Sequence, residues 1–212
     1  NQMLPGKTRY VSSSTVSVLD YDGDGDLDLF VGEGSRPMQN GVPGDGFLLE
    51  NNGQGVYTDV TSEKAPEFKS LGMITSSQAV DVNGDGATDL IVVGEYMGIE
   101  IFLNTNGQFR KSTPANLARL KGWWNVVHAA DVNGDGRMDF IVGNHGLNSR
   151  FKASEEQPIA LFVKDFDSNG TLDPILSKYM ANGKAYPYGL RHNLIDQIKS
   201  LKKVLPDYKT FK

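Results

Sequence analysis

The chain has 212 residues, 39% of them hydrophobic, with 24 glycines, no cysteine and a formal charge of −5. That is enough apolar material for one core or a small repeat array, and too much for a disordered chain. Disulfide staples are excluded, no run reaches membrane-spanning length, and no basic stripe of the kind nucleic acid requires is evident.

Residues 1–12 read as a lead-in that supplies a strand to a neighbouring unit. Thr15–Leu19 and Leu27–Val31 then read as a β-hairpin around a nine-residue acidic turn, Asp20, Tyr21, Asp22, Gly23, Asp24, Gly25, Asp26, Leu27, Asp28. Side-chain oxygens stand at positions 1, 3, 5 and 9, with Gly at position 6 and a backbone carbonyl available at position 7. After a Gly/Pro-rich rim loop, Phe47 onward and Val56–Val60 read as two further strands joined by a turn at Asn52-Gly53. That makes one four-stranded repeat.

The grammar then recurs. Ser77–Val80, Leu90–Val93, Ile99–Leu103 and Phe109 onward flank a second turn with Asp81, Asn83, Asp85, Ala87 and Asp89. A third turn offers Asp131, Asn133, Asp135, Arg137 and Asp139, and a fourth Asp165, Asp167, Asn169, Thr171 and Asp173. Turn starts are 61, 50 and 34 residues apart. The first two intervals suit a repeat of roughly 40 to 50 residues with insertions. The third is too short, so the fourth turn either joins outer strands of the third repeat or opens a reduced one. Its strands would be Ile159–Lys164 and Leu172–Lys178, with Pro174 favouring an edge. Beyond it, Leu194, Ile198, Leu201 and Leu205 at helical spacing predict one C-terminal helix stopped by Pro206.

Three or four carboxylates with amide and carbonyl oxygens make an all-oxygen donor set, which suits a hard cation of calcium size rather than zinc or copper. An EF-hand is excluded, because position 12 holds Val31, Val92, Val142 and Leu176 in place of its Glu, and the flanks are strands. Ala87 and Arg137 would ligate through the position-7 carbonyl, as would Asp26 and Thr171. Fourteen of the 26 acidic residues lie in these turns, so one Ca²⁺ in each would turn the formal charge from −5 to +3. The ions, up to four, are read as structural.

The D-x-[DN]-G-[DN]-G-x-x-D turn followed by an apolar strand and Gly resembles the FG-GAP or VCBS repeat of integrin-α-type β-propellers. Gly143–Asn148, Lys164–Leu176 and Tyr186–Tyr188 are similar to bacterial VCBS proteins that carry the ASPIC/UnbV module and are related to cartilage acidic protein. The Phe-Gly and Gly-Ala-Pro tags that name the FG-GAP repeat are absent, so the VCBS variant is the better label. The resemblance implies an all-β propeller segment of about 3–4 four-stranded blades over residues 1–190, with residues 191–212 a helix and tail leading into further blades of a longer chain.

Extracellular modules of this kind bind calcium too weakly for cytosolic levels, which implies an exported location: extracellular, periplasmic or cell-surface. The implied role is a scaffold for adhesion or binding of a protein or glycan. Trp123, Trp124, Asn144, His145, Asn148 and Arg150 are the candidate partner residues, while His128 reads as a packed histidine. The competing class is a polysaccharide lyase or hydrolase using His145, Arg150 or Tyr186. No nucleophile–base pair or G-x-S-x-G supports it, so catalysis is not expected.

Overall fold

The computed structural model describes residues 4–211. The chain is mostly β, in antiparallel sheets. It divides into two compact units, one of residues up to Pro37 with Val42–His145, the other of Met38–Gly41 with the chain from Gly146 onward. The fourth turn and its strands thus fall in the same unit as the C-terminal helices.

In the first unit, β1 (Ser13–Leu19), β2 (Asp28–Glu33), β3 (Gly46–Asn51) and β4 (Tyr57–Asp59) form one sheet in sequence order, as expected for one repeat. Leu19 pairs with Asp28 across the first acidic turn. Of the expected lead-in strand, residues 1–3 lie outside the described residues and Gly6–Tyr10 is a 3-10 turn. Leu4 and Val11 of this segment pack on Val31, Phe47 and Leu49, covering one face of the sheet.

The second repeat runs through β5 (Met73–Val80), β6 (Asp89–Met97), β7 (Glu100–Thr105) and β8 (Gln108–Lys111). β9 (Gly122–Ala130) and β10 (Asp139–Asn144) follow around the third turn, with α2 (Ala115–Arg119) before them. They join the second sheet because β6 overruns its hairpin and pairs Glu95 with Trp123 and Met97 with Gly122. Alternate residues of a strand face opposite sides. Leu90 and Val92 accordingly enter a core shared with Leu19, Phe30 and Leu48, while Ile91 and Val93 enter a second core with Ile99, Ile101 and Val127. A strand buried on both faces reads as a continuous apolar run, and Leu90–Val93 is one.

The leading strands β1, β5 and β9 are successive neighbours joined by small hydroxyls. Ser17 Oγ lies 2.7 Å from Ser77 Oγ, and Ser14 Oγ donates to the Ile74 carbonyl at 2.6 Å. Thr75 Oγ1 donates to the Trp124 carbonyl at 2.6 Å, and the Val127 amide donates to Ser76 Oγ at 3.3 Å. The approach is close: a Cβ on Gly32 would stand 2.8 Å from both Ile74 and Thr15.

One core element was not legible as such. After α1 (Thr61–Lys64), a 3-10 turn over Pro66–Phe68 inserts Phe68 with no exposed surface. Its ring meets Phe30 and Phe102 edge-on, with centroids 5.2 and 4.9 Å away, and lies 5.3 Å from Phe109.

In the second unit, β11 (Ala160–Lys164), β12 (Asp173–Tyr179) and β13 (Ala185–Pro187) form a separate three-stranded sheet. The fourth turn therefore opens a reduced repeat. Pro174 sits on the central strand, against expectation for its residue type, yet the local physics is met. The Tyr188 amide donates to Leu176 O, so the backbone groups of 174, 176 and 178 face β13, and β13 ends before reaching position 174. The missing N–H has no ladder partner to lose.

The expected single C-terminal helix is three short ones, α3 (Arg191–Gln197), α4 (Leu201–Val204) and α5 (Tyr208–Phe211). Ile198 turns extended and is buried together with Leu194, so tertiary burial overrides the helical spacing. The Arg191 guanidinium bonds the Leu205 and Pro206 carbonyls at 2.7 and 2.6 Å, returning the end of α4 to the start of α3. Among the described residues no helix is long and apolar enough to cross a membrane.

Phe68→Ala removes the ring on which Phe30, Phe102 and Phe109 converge. It is expected to cost about 3–5 kcal/mol in urea unfolding with an unchanged m-value. A loss below about 1 kcal/mol, the size of a surface substitution, would contradict this packing.

Candidate metal centre

Each acidic turn is bent by two residues in the left-handed region, at positions 4 and 6. Gly23, Gly84 and Gly134 hold position 4 at φ of 77 to 78°, and Gly25, Gly86, Gly136 and Gly170 hold position 6 at 81 to 91°. The sequence pattern drew attention to position 6 alone. In the fourth turn position 4 is Ser168, at φ 60°, a conformation that costs a side chain about 1–2 kcal/mol.

The position-1 carboxylate organises the bend by accepting backbone amides. Asp81 accepts from Gly84 at 2.7 Å and Gly86 at 2.9 Å, Asp131 from Gly134 and Gly136 at the same distances. Asp20 accepts from Gly23 and Gly25, and Asp165 from Asn169 and Gly170. These amide bonds hold the Asp81 and Asp131 carboxyls below the usual range. Position 3 binds the position-5 amide in the first three turns, through Asp22, Asn83 and Asn133. Position 5 binds the position-7 amide in all four, through Asp24, Asp85, Asp135 and Asn169 to Asp26, Ala87, Arg137 and Thr171.

Position 9 is a different kind of residue. Asp28, Asp89 and Asp173 are buried, at 1% exposure or less. Each accepts the position-2 amide, Asp28 from Tyr21 at 3.2 Å, Asp89 from Val82 at 2.9 Å and Asp173 from Phe166 at 2.9 Å. Asp28 also accepts the Asn51 amide at 2.8 Å and Asp89 the Asn104 amide at 2.7 Å, so each ties its turn to the third strand of its sheet. Asp139 accepts Val132 at 3.1 Å and is half-buried. Asn104 reaches further, donating through Nδ2 to the Tyr21 carbonyl at 2.7 Å and so joining the first turn to the second sheet. Neither Asn51 nor Asn104 stood out in the sequence, since their role depends on strands far apart in the chain.

Two turns bring three carboxylates together. Asp20, Asp22 and Asp28 place oxygens within 4.8 Å of one another, and so do Asp165, Asp167 and Asp173. These groups could hold a metal ion. In the second and third turns Asn83 and Asn133 at position 3 replace one carboxylate of the trio by an amide oxygen. Burial, with neighbouring carboxylates adding to it, pushes the Asp22 carboxyl up and takes Asp28 to about 6. Asp167 Oδ1 and Asp26 Oδ1 are shielded from solvent with no hydrogen-bond partner. An orphaned carboxylate oxygen inside an all-oxygen trio fits a hard cation.

Of the candidate partner residues, Trp123 and Trp124 lie on β9, whereas His145, Asn148 and Arg150 lie in the irregular segment between β10 and β11. Asn144 and His145 end the first unit, whereas Asn148 and Arg150 belong to the second. Trp124 packs on the second core and donates through Nε1 to the Leu120 carbonyl at 2.9 Å. Trp123 is half-buried between Tyr96 and His145, edge-on to both at 5.5 and 4.9 Å. The exposed Asn144 and His145 are linked by the His145 amide, which donates to Asn144 Oδ1 at 2.7 Å and to Trp123 O at 3.0 Å. Asn148 is exposed, and Arg150 donates to the Tyr188 hydroxyl at 3.0 Å. His128, expected to be packed, is exposed on β9, because its neighbour Val127 takes the core-facing side.

Asp89→Ala strands the Val82 and Asn104 amides, each of which costs about 1–3 kcal/mol when left unpaired. Asp139→Ala strands the Val132 amide in a more open site. Measured in chelator, Asp89→Ala is expected to destabilise more than Asp139→Ala by about 1–3 kcal/mol. Equal losses would contradict the anchoring role of position 9.

No curated protein matches the chain. A family model described as FG-GAP-like repeat matches residues 20–92 and again residues 81–142. Each match begins at the first aspartate of one turn and ends in the strand leaving the next, so the matched unit coincides with the turn-and-strand geometry. Together the matches span more than half of the 212 residues. The chain belongs to the FG-GAP-like repeat family.

Proposed function

We propose that the chain is a calcium-clipped stretch of β-propeller, of the VCBS variant, that serves as an exported binding scaffold for a protein or a glycan. The observation that carries the metal part is the pair of carboxylate trios, one of which contains the unpartnered Asp167 Oδ1. Positions 1, 3, 5 and 9 would hold the ion by side chain, as Asp20, Asp22, Asp24 and Asp28 in the first turn and their counterparts in the others. Position 7 would contribute a carbonyl. A bound divalent cation supplies the positive charge that crowded, partly buried carboxylates lack.

The propeller reading is supported by the order of strands in the first sheet, by the hydroxyl-linked succession of β1, β5 and β9, and by family membership. A scaffold is favoured over an enzyme because the acidic groups are engaged in folding their own turns. The aspartates that a hydrolase would use as acid and base accept backbone amides instead.

Calcium at a hundred times its dissociation constant stabilises by about 2.7 kcal/mol per site. With roughly 2–4 °C per kcal/mol for a chain of this size, wild type should melt several degrees higher in calcium than in chelator. Asp167→Ala should lose part of that gain while melting almost as wild type in chelator. An equal deficit under both conditions would contradict an ion at the fourth turn. The pH arm has a defined sign. Asp28 titrates near 6 when folded and nearer its ordinary 3.8 when unfolded, so its ionised form is disfavoured by folding without metal. Calcium needs that ionised form, so affinity at the first turn should fall, with proton uptake, as pH drops through about 6. Affinity constant between pH 7 and 5 would contradict Asp28 as a ligand.

The scaffold part is tested on arrayed glycans and an extract of cell-surface proteins, in calcium and in chelator. Binding that is lost in chelator and leaves the ligand intact is expected. Release of shortened oligosaccharides would replace the scaffold by a polysaccharide-cleaving enzyme.

A further inference from the structure

We propose that the second unit carries an anion-binding site, built on Tyr188 by Arg150 and Lys178, that takes the carboxylate or sulfate groups of an acidic glycan. This rests on the scaffold reading and names the chemistry of its ligand. Arg150 Nη1 donates to the Tyr188 hydroxyl at 3.0 Å, while Lys178 Nζ lies over the same ring, 5.2 Å from its centroid. The Phe151 ring supports the tyrosine from 5.0 Å away at 49°.

Two cations thus share one phenol, and among the described residues neither has a carboxylate partner. Four cations elsewhere do: Arg36 pairs with Glu33 and Asp45, Lys64 with Glu63, Lys111 with Glu100 and Lys199 with Asp196. Because the phenol oxygen accepts from Arg150, its own proton is turned away, to be donated. Arg150 retains its other N–H groups and Lys178 its three, so every polar atom of the cluster is a donor. A surface of donors alone is complementary to an oxyanion, and Lys178 and Tyr188 are half-buried, which strengthens the attraction.

The charge distribution points the same way. Residues 146–212 hold eleven Lys and Arg against seven Asp and Glu, three of the seven in the fourth turn; residues 1–145 hold ten against nineteen. Two cations on one ring can fix one oxyanion, whereas tracking a nucleic-acid backbone takes a row of them.

The test uses the full chain at fixed calcium, with polygalacturonate and heparin as acidic probes, dextran as the neutral one and a single-stranded oligonucleotide as the competing polyanion. Acidic polysaccharides should bind and dextran should not. Arg150→Ala with Lys178→Gln should weaken binding about tenfold or more at an unchanged melting temperature. Arg150→Ala alone, at an exposed position, should show a smaller loss, partly restored by Arg150→Lys. Wild-type affinity in the double variant, equal binding of dextran, or preference for the oligonucleotide would each overturn the proposal. Neutral-glycan or protein binding that survives in the double variant would do so while leaving the scaffold reading intact.

Discussion

A buried carboxylate that accepts backbone hydrogen bonds fixes each of the first two acidic turns to its sheet, with further carboxylates crowded beside it in the first. Asp28 and Asp89 show the arrangement in full: one oxygen receives the amide at position 2, the other the amide of the third strand. Satisfying two amides offsets part of the cost of burying the charge, and the position cannot move without unpairing both. With position 9 held inside and position 1 tied to the amides of the bend, the oxygens of position 3 are drawn into the same small volume. Mutual repulsion there is the expense of the motif, and a hard divalent ion is the natural remedy.

The remainder of the first unit follows from the hairpins that these turns define. Strand β6 sends alternate residues into two cores, so the second sheet can pack on both sides. Small hydroxyl residues on the leading strands allow close approach and bond across it, where larger side chains would hold the sheets apart. Phe68, delivered by a short turn and not by a strand, fills the space between the first and second sheets, against Phe30, Phe102 and Phe109.

The acidic turns, their hairpins and the four-strand order of the first repeat were legible because each is written locally, in a fixed spacing followed by a period-two apolar run. Long-range features were not. The overrun of β6 onto β9 depends on pairing Glu95 with Trp123, which no local pattern encodes. The C-terminal segment carries helical spacing at Leu194, Ile198, Leu201 and Leu205, yet the burial of Ile198 in an extended conformation breaks it into short helices. The same limit applied at the candidate sites. Aspartates at positions 1, 3, 5 and 9 could be named from spacing, but Asn51, Asn104 and Tyr188 take their roles only from neighbours brought in by folding. The stretch from Asn144 to Arg150 reads as a loop because it is polar and continuous, and it does leave the end of β10 as irregular chain.

The most direct measurement is an anomalous difference map from crystals grown in calcium and recorded at long wavelength. A peak enclosed by Asp20, Asp22 and Asp28, and another by Asp165, Asp167 and Asp173, is the expected result. Turns that keep this geometry with no peak at either trio would contradict the role assigned to the carboxylates.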